Sequence, residues 1–478
     1  SSDLGALGAG TSQGTWIITA YAVAEAITVP LSGWLTTRFG GVRVFSISVF
    51  MFGIFSLLCG LSTSLGMLLL MRVFQGMAGG PLMALSQTLL LRIFPKEKSM
   101  QATGLWAMTT LLAPVIGPVL GGWICDHYSW SWVFIINVPM AIAFSVVAWS
   151  VLKIFEDELV NNAIDIVGFV LLVIWVGALQ IMLDEGKDLD WFASEEIWVL
   201  AIVACIGFLC FCIWELTADH PIVDISVFRH RGFSASMFVL ALAFGCFFGL
   251  NVLTPLWLQY NLGYTTTWAG IVVAWGGLLQ VVFSPVAANL SNRIDPRILI
   301  FFGCAWLGLD TFWRAYATTD MDYWSICVPL LFMGVGMPLY YVPITGLAMG
   351  SVDEAEMPSA AGLMNFVRTL SGAFATSLVT TSWQDQRYIA HDRLASVVDP
   401  TGDLSQYINS APQQGGQFVR ELFDKMVNSQ SMMLSTNNLM MSIGVIFFIA
   451  AFAIALAPKP SRVVDAASVE IGRASCRE

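Results

Sequence analysis

Apolar residues in this chain form long runs that are separated by short polar segments. Thirteen of these runs are close to the length of about 20 residues that a helix needs to cross a bilayer. They lie at roughly 15–35, 44–63, 67–90, 101–125, 131–152, 163–183, 196–216, 233–259, 266–290, 297–317, 323–348, 359–384 and 434–457. The pattern predicts an all-α integral membrane protein with thirteen spans.

The composition agrees with a membrane protein and argues against several other classes. Hydrophobic residues make up 57% of the 478 residues and charged residues only 12%, against about 25% charged in soluble domains. The net charge of −11 argues against nucleic-acid binding. Most of the nine cysteines lie within apolar runs and only four histidines are present, so we expect neither a disulfide framework nor a metal site.

Basic residues between the runs predict the orientation. If the N-terminus begins outside, the inner loops contain twelve of the 22 Lys and Arg residues, whereas the short outer loops contain only Lys187. This distribution follows the positive-inside rule. The outer loop at 184–196 has six acids and one lysine, which indicates a solvated loop or, alternatively, a surface that attracts cations.

One apolar run has an unusual density of helix-breaking residues. Residues 111–122 read LLAPVIGPVLGG, with two prolines and three glycines. In a bilayer, neighbouring helices can satisfy the freed backbone groups, and small residues allow helices to approach closely. We therefore expect a membrane helix that bends and packs against a moving neighbour, which is typical of a transporter.

Four segments in order resemble a known family. They are GWLTTRFGGVR at 33–43, RVFQGMAGGP at 72–81, WAMTTLLAPVIGPVLGGWI at 106–124 and WSWVFIINVP at 130–139. Together they resemble the major facilitator superfamily, and within it the fourteen-helix drug:proton antiporters of the EmrB type. The resemblance extends over nearly the whole chain up to about Lys459.

The resemblance implies a fold of two six-helix bundles plus two accessory helices. It places an N-terminal bundle at 1–160, the accessory helices at 161–220, and a C-terminal bundle at 221–460 with an outer loop at 385–433. A helix that usually precedes Thr15 in the family is missing, which leaves thirteen spans. In the tail at 461–478, the last segment, SVEIGRASCRE, resembles translated cloning sequence.

The resemblance also assigns two motifs. The antiporter motif falls on Pro114, Gly117, Pro118, Gly121 and Gly122, and the inner-loop motif on Gly33, Arg38, Gly40 and Arg43. The first inner loop of the wider superfamily commonly carries an acid at the position of Thr37, so the usual ionic lock is not expected here.

Ionisable residues inside the spans are candidate proton-coupling residues, because a charge at membrane depth is costly. The superfamily implicates the arginine matching Arg72 in proton transfer and helix packing; snorkelling to the outer interface is the alternative. Glu25 lies in the middle of its span and has either a proton or cation-binding role or a structural hydrogen bond. Asp310 is a further candidate. It has either a proton-coupling role or a structural role as the partner of Arg314, which lies four residues later on the same helix face. For Arg368 we expect interfacial anchoring.

Polar and aromatic residues in the spans are candidates for a substrate cavity. We select Gln75, Asn137, Trp275, Tyr340 and Tyr341, because adaptable apolar linings with a few polar groups suit varied hydrophobic ligands. Further polar residues that could line a path, or instead join helices by hydrogen bonds, are Gln87, Asn251, Gln280 and Asn365. For each residue taken singly, lipid-facing or core packing is the alternative.

The functional expectation is proton-coupled efflux of hydrophobic and amphiphilic toxic compounds across the bacterial inner membrane. No nucleotide-binding loop or hydrolase motif is present, so we expect no enzyme, no cofactor and no ATP coupling. The resemblance implies a periplasmic adaptor and an outer-membrane channel as partners, with the outer segment at 384–435 as the docking site or a simple cap. The alternatives are an uptake or symport carrier, a non-transporting sensor, and an inactive incomplete chain.

Overall fold

The computed structural model describes residues 11–95, 98–156, 159, 165–187, 189–218, 221–353, 356–397 and 413–458. These residues are almost entirely helical. The α-helices are α1 Thr11–Thr28, α2 Ser32–Phe39, α3 Gly41–Gly60, α4 Leu65–Ile93, α5 Ser99–His127, α6 Trp132–Ile135, α7 Asn137–Leu152, α8 Ile166–Glu185, α9 Glu195–Thr217, α10 Arg231–Asn261, α11 Thr266–Ser291, α12 Pro296–Arg314, α13 Tyr323–Met349, α14 Met357–Val397 and α15 Gln413–Ala453.

Each of the thirteen predicted spans coincides with a helix or a pair of successive helices. Among the described residues, nine helices are long and apolar enough to cross a membrane, and the bent pair of α1 and α2 gives a tenth. The two helices of this pair meet at an angle of 58°. Pro30 lies at the break; proline cannot donate a backbone hydrogen bond and disfavours helical geometry in the preceding residue.

Glycines in α4 allow α1 to pack directly against its backbone. A Cβ on Gly76 would overlap the carbonyl oxygen of Tyr21, and a Cβ on Gly80 would lie 2.9 Å from the carbonyl oxygen of Glu25. Small residues permit this close approach of membrane helices. The segment QGMAGGP in α4 therefore fixes the position of Glu25 in α1.

The helices form two sets whose most extensive contact is that of α5 with α11. Below, "inner" and "outer" refer to the predicted orientation. In the first set, α4 packs on α1 and α3, and α3 packs on α7. In the second set, α13 packs on α11 and α12, while α15 packs on α12 and α14. The domain boundaries at 160 and 220 remain a prediction.

Close contacts between the two sets lie near the inner ends of α2, α5, α11 and α14. A Cβ on Gly104 in α5 would lie 2.7 Å from the Cβ of Ala288 in α11. A Cβ on Gly33 would lie 3.1 Å from the Cα of Ser359, and one on Gly362 would lie 2.6 Å from the Oγ of Ser32. The inner side of the bundle is therefore closed along both pairs of helices.

The accessory helix α8 bridges the two sets near their outer ends. Thr19 of α1 hydrogen-bonds to the carboxylate of Asp184 on α8. The Oγ of Ser377 on α14 donates to the carbonyl oxygen of Leu183, at 2.6 Å. The indole of Trp191, in the loop after α8, donates to the Oγ1 of Thr381 at 3.0 Å. Helix α9 packs on α8 and leaves most of its other faces exposed.

The outer segment contains more helix than the sequence predicts. Helix α14 continues to Val397 and α15 begins at Gln413, so both helices extend beyond the predicted spans. The Nη2 of Arg387 donates to the Oδ1 of Asn428 at 2.9 Å and joins the two extensions. In this segment the side chain of Met426 is exposed.

We predict that Gly76→Ala destabilises the protein, because the added methyl group meets backbone atoms of α1 that have little freedom to move. The expected loss in the free energy of unfolding is about 1–3 kcal/mol, typical of overpacked interiors. Thermal unfolding of the detergent-solubilised protein measures it. Gly66→Ala in the same helix is the control, since its Cβ would have no atom within 4 Å. Equal unfolding temperatures for the two variants would contradict the packing argument.

Candidate functional site

Arg72 holds the outer part of α1 against α4. Its Nε donates to the carbonyl oxygen of Ile17 at 3.1 Å, and its Nη1 donates to the Oε1 of Gln75 at 2.9 Å. The guanidinium lies 4.4 Å from the centre of the Tyr21 ring. These contacts turn the side chain into the bundle, so the structure does not support snorkelling to the outer interface.

Glu25 lies on α1 in the central part of the bundle and is half-buried. Two cations act on its carboxylate electrostatically, Arg368 from α14 and Arg72 from α4. Arg72 belongs to the same set of helices as Glu25, whereas Arg368 belongs to the opposite set. One carboxylate is therefore within electrostatic range of a cation from each half.

Arg368 is buried and does not anchor at the interface, so that expectation is wrong. Only 8% of its surface is exposed. Its Nη1 donates to the hydroxyl of Tyr341 at 3.0 Å, and the guanidinium lies 5.8 Å from the ring centre of Trp106 and 5.6 Å from that of Phe244. Aromatic faces stabilise a cation most strongly when both are desolvated.

The aromatic cluster around Arg368 crosses between the two sets of helices. Trp106 of α5 stacks on Tyr341 of α13, with ring centres 6.2 Å apart. The indole of Trp106 also donates to the Oγ of Ser86 on α4 at 3.1 Å. Nearby, the Nδ2 of Asn365 donates to the Oε1 of Gln87 at 3.3 Å, again across the two sets. Contacts of this kind must change when the two halves move apart.

The predicted cavity residues do not form one group. Tyr341 belongs to the central cluster, and Tyr340 is fully buried behind it with no hydrogen-bond partner for its hydroxyl among the described residues.

The other three predicted cavity residues lie elsewhere. Gln75 is buried beside Arg72. Asn137 donates to the Oγ of Ser56 at 3.2 Å and joins α7 to α3. Trp275 donates to the hydroxyl of Tyr323 at 2.9 Å in the second set of helices. Their role as a cavity lining remains a prediction.

The inner-loop motif begins at the break after α1 and ends at the start of α3. Gly33 contacts Ser359 of α14, as described above, and Gly40 has a φ of 91°, which favours glycine. The carboxylate of Glu156 accepts hydrogen bonds from the backbone N–H groups of Val42 and Arg43, both at 3.1 Å. Glu156 thus caps the N-terminus of α3, where a negative charge is stabilising.

The antiporter motif lies within α5, which continues as a helix through both prolines. A Cβ added to Gly117 or Gly121 would meet no atom within 4 Å, so these two glycines are not at a close helix contact in this conformation. The structure does not describe the side chains of Pro114 and Pro118 or the exposure of Gly122. The close contact of α5 is instead made by Gly104, nearer the inner end.

Asp310 and Arg314 lie on α12, apart from the Glu25 site. Arg314 donates to the Oγ1 of Thr254 and, at 3.7 Å, to the sulfur of Met333. Neither carboxylate oxygen of Asp310 has a hydrogen-bond partner among the described residues. The predicted intrahelical ion pair is therefore not formed in this conformation, although the two charges interact electrostatically.

Sequence reasoning missed Trp106 and the α4 glycines, and it assigned Arg368 wrongly to the interface. Trp106 begins the quoted antiporter segment, but its partner Tyr341 lies more than 200 residues later, and nothing local joins the two. The glycine spacing in QGMAGGP is the one available signal, since small residues four apart are typical of a close helix contact.

Comparisons with known proteins agree with this architecture. The Major Facilitator Superfamily model matches residues 3–376. The multidrug export protein EmrB of Haemophilus influenzae is 42% identical over 84% of this chain and 79% of its own length. The fatty acid resistance protein FarB of Neisseria gonorrhoeae is 38% identical over 95% of this chain and 90% of its own.

A solved structure shows the same fold. The crystal structure of the human organic anion transporter MFSD10 covers 92% of this chain and 83% of its own, with a TM-score of 0.58 and 12% sequence identity. The helices, the motifs and these relatives lead to one assignment. The chain belongs to the Major Facilitator Superfamily, in the group of the EmrB-type export proteins.

Proposed function

We propose that this multi-pass membrane protein is a proton-coupled multidrug efflux transporter of the bacterial inner membrane. The relatives named for multidrug export and fatty acid resistance support the direction of transport and hydrophobic or amphiphilic substrates. The observation that carries the coupling is that the carboxylate of Glu25 is within electrostatic range of both Arg72 and Arg368. The family argues for a transporter rather than an enzyme.

The coupling step follows from the charges around Glu25. While Glu25 is ionised, its carboxylate attracts Arg368 of the opposite half, which stabilises the closed inner side. A proton that binds Glu25 from outside removes this attraction, because the neutral acid has no net charge. The inner side then opens, the proton leaves toward the more alkaline interior, and the substrate binds in exchange.

Arg72 and the aromatic cluster have supporting roles in this scheme. Arg72 fixes α1 through Ile17, so the carboxylate of Glu25 keeps its position relative to α4. Trp106, Tyr341 and Phe244 surround Arg368 with polarizable aromatic surface at this depth. In this scheme the substrate and the proton both act on the same contact between the halves, the interaction of Glu25 with Arg368.

Glu25→Gln removes the titrating group but keeps the shape of the side chain. We expect drug-induced proton release from inverted vesicles to fall by about tenfold or more, since glutamine at this position cannot take up or release a proton. A pH-sensitive dye inside the vesicles measures the release. Glu196→Gln, at an exposed site on the outer end of α9, is the control. Proton release equal to that of the wild type would remove Glu25 from the mechanism.

A double-mutant cycle tests whether Arg368 acts through Glu25. We expect Arg368→Gln alone to lower the transport rate, and the combination with Glu25→Gln to be no worse than the more impaired single variant. Residues that share one interaction are non-additive in this way. Fully additive losses would mean that Arg368 stabilises only its aromatic neighbours and has no part in coupling.

The outer extensions of α14 and α15 are the proposed docking site for a periplasmic adaptor protein. They project beyond the predicted spans and are joined by Arg387 and Asn428. Replacing the exposed positions within 384–394 and 424–430 with serine should abolish co-purification of the adaptor but leave proton release in vesicles intact. Unchanged co-purification would identify the extensions as a simple cap. Serine substitutions at the exposed positions of α9's outer turn serve as the control.

A further inference from the structure

A buried carboxylate that the proposed mechanism does not use lies at the inner end of the accessory helices. Glu215, in the last turn of α9, is 4% exposed. Its Oε2 accepts a hydrogen bond from the backbone N–H of Val223 at 3.3 Å, and the backbone N–H of Ile222 donates to the same carboxylate. Its Oε1 is buried and has no hydrogen-bond partner among the described residues. One oxygen of a buried acid is therefore left without a partner, which is costly.

A second carboxylate approaches this oxygen. Asp165 precedes α8 and caps it, since its Oδ1 accepts a hydrogen bond from the backbone N–H of Gly168 at 2.9 Å. Both of its oxygens also accept from the indole of Trp214, at 3.0 and 2.9 Å. A Cβ on Gly168 would overlap the Oδ2 of Asp165 and would lie 2.5 Å from the Oε1 of Glu215. The missing side chain at Gly168 therefore leaves the space in which the two carboxylates come together.

The charges that act on Glu215 are negative. They belong to Asp165 and Asp224, and the nearby thiol of Cys212 supplies no positive charge. Asp224 accepts a hydrogen bond from the backbone N–H of Ser226 at 3.1 Å. Two neighbouring carboxylates away from water cannot both be ionised at low cost unless a proton or a cation lies between them. Mg²⁺ demands about six ligands, whereas a proton needs one oxygen to carry it and one to accept it, which this pair provides.

We propose that Asp165 and Glu215 bind one proton between them, and that this proton holds together the inner joint, which is the contact of Asp165, Glu215 and Val223. In the closed joint, Glu215 carries the proton on Oε1 and donates it to the Oδ2 of Asp165, while its Oε2 accepts from Val223. The proton comes from water on the inner side and returns there. It accompanies no substrate, so the inference does not depend on the proposed function.

The inner joint connects the accessory helices to the C-terminal half. The connector at 221–230 leads from α9 to α10, and its residues Ile222, Val223 and Val227 are at most 4% exposed and pack in the hydrophobic core. When Glu215 loses its proton, two like charges face each other, and the cost falls if the carboxylate moves into water and releases Val223. The closed joint holds the proton that the open joint releases. Closure is therefore favoured at low inner pH and lost as the inner pH rises.

The experiment measures hydrogen exchange at the backbone amides of Ile222 and Val223, in the full chain in nanodiscs, over a pH series. Comparison of each exchange rate with the intrinsic rate at the same pH gives a protection factor, which reports the opening of the joint alone. For the wild type we expect the protection factor to fall with rising pH, by up to about tenfold per pH unit, since this is the limit for one released proton. A protection factor that does not change with pH would overturn the proposal.

Two variants give the decisive contrast. Glu215→Gln keeps both hydrogen bonds, because its amide accepts from Val223 and donates to Asp165, so its protection factor should stay at the low-pH value throughout. Asp165→Asn removes the neighbouring charge, so the fall in protection should move to higher pH. If Glu215→Gln does not fold, this shift decides the proposal. A wild-type profile in either variant would overturn it.

Three controls separate the proposed site from other causes of pH dependence. Glu196→Gln, at an exposed site on the outer end of α9, should give the wild-type profile. His220 follows α9 in the sequence, and a histidine titrates near neutral pH. His220→Gln should keep the fall in protection, and its loss there would assign the titration to this histidine instead. Added Mg²⁺ at constant pH should leave the protection factor unchanged, whereas increased protection would identify a cation site in place of a proton site.

Discussion

The cost of a bare charge inside the bilayer constrains every ionisable residue at the core of this protein. Glu25, Arg72 and Arg368 satisfy the constraint together, since one carboxylate lies in the field of two cations. The two cations are not equivalent. Arg72 is fixed to α1 by a backbone hydrogen bond, whereas Arg368 belongs to the opposite half and is fixed to its own neighbours Tyr341 and Phe244. Protonation of Glu25 therefore changes the free energy of its interaction with Arg368, which belongs to the opposite half.

Helix packing makes that electrostatic contact possible. Glycines in α4 bring α1 close enough for the position of Glu25 to be set by backbone contacts rather than by flexible side chains. Gly33, Gly104 and Gly362 have the corresponding role between the halves at the inner ends. The interaction between two charges becomes weaker with distance. Close packing of α1 on α4, and of the two halves on each other, therefore keeps the interaction of Glu25 with the arginines strong in the closed state. When the inner glycine contacts separate, the same interaction weakens.

Much of the fold could be predicted from the sequence, because apolar runs of membrane length have few alternative structures. Each predicted span coincides with a helix, and the Pro30 break follows from proline chemistry. The site was less predictable. Arg368 was expected at an interface because its position along its own helix is the only local signal, whereas its burial depends on Trp106 and Tyr341 from elsewhere in the chain. The spacing of Asp310 and Arg314 predicted a pair, but Thr254 on α10 provides Arg314 with a competing partner.

The accessory helix α8 joins the two halves at their outer ends. It is bonded to α1 through Thr19 and to α14 through Ser377, so it spans the seam between the halves where the inner-side contacts do not reach. The loop after it has left-handed backbone at both Asp190 and Trp191, with φ of 54° and 51°, and this conformation directs the indole of Trp191 to Thr381. Such backbone costs free energy and persists only where its contacts compensate. The contacts of Thr19, Ser377 and Trp191 therefore hold α8 over the outer part of this seam.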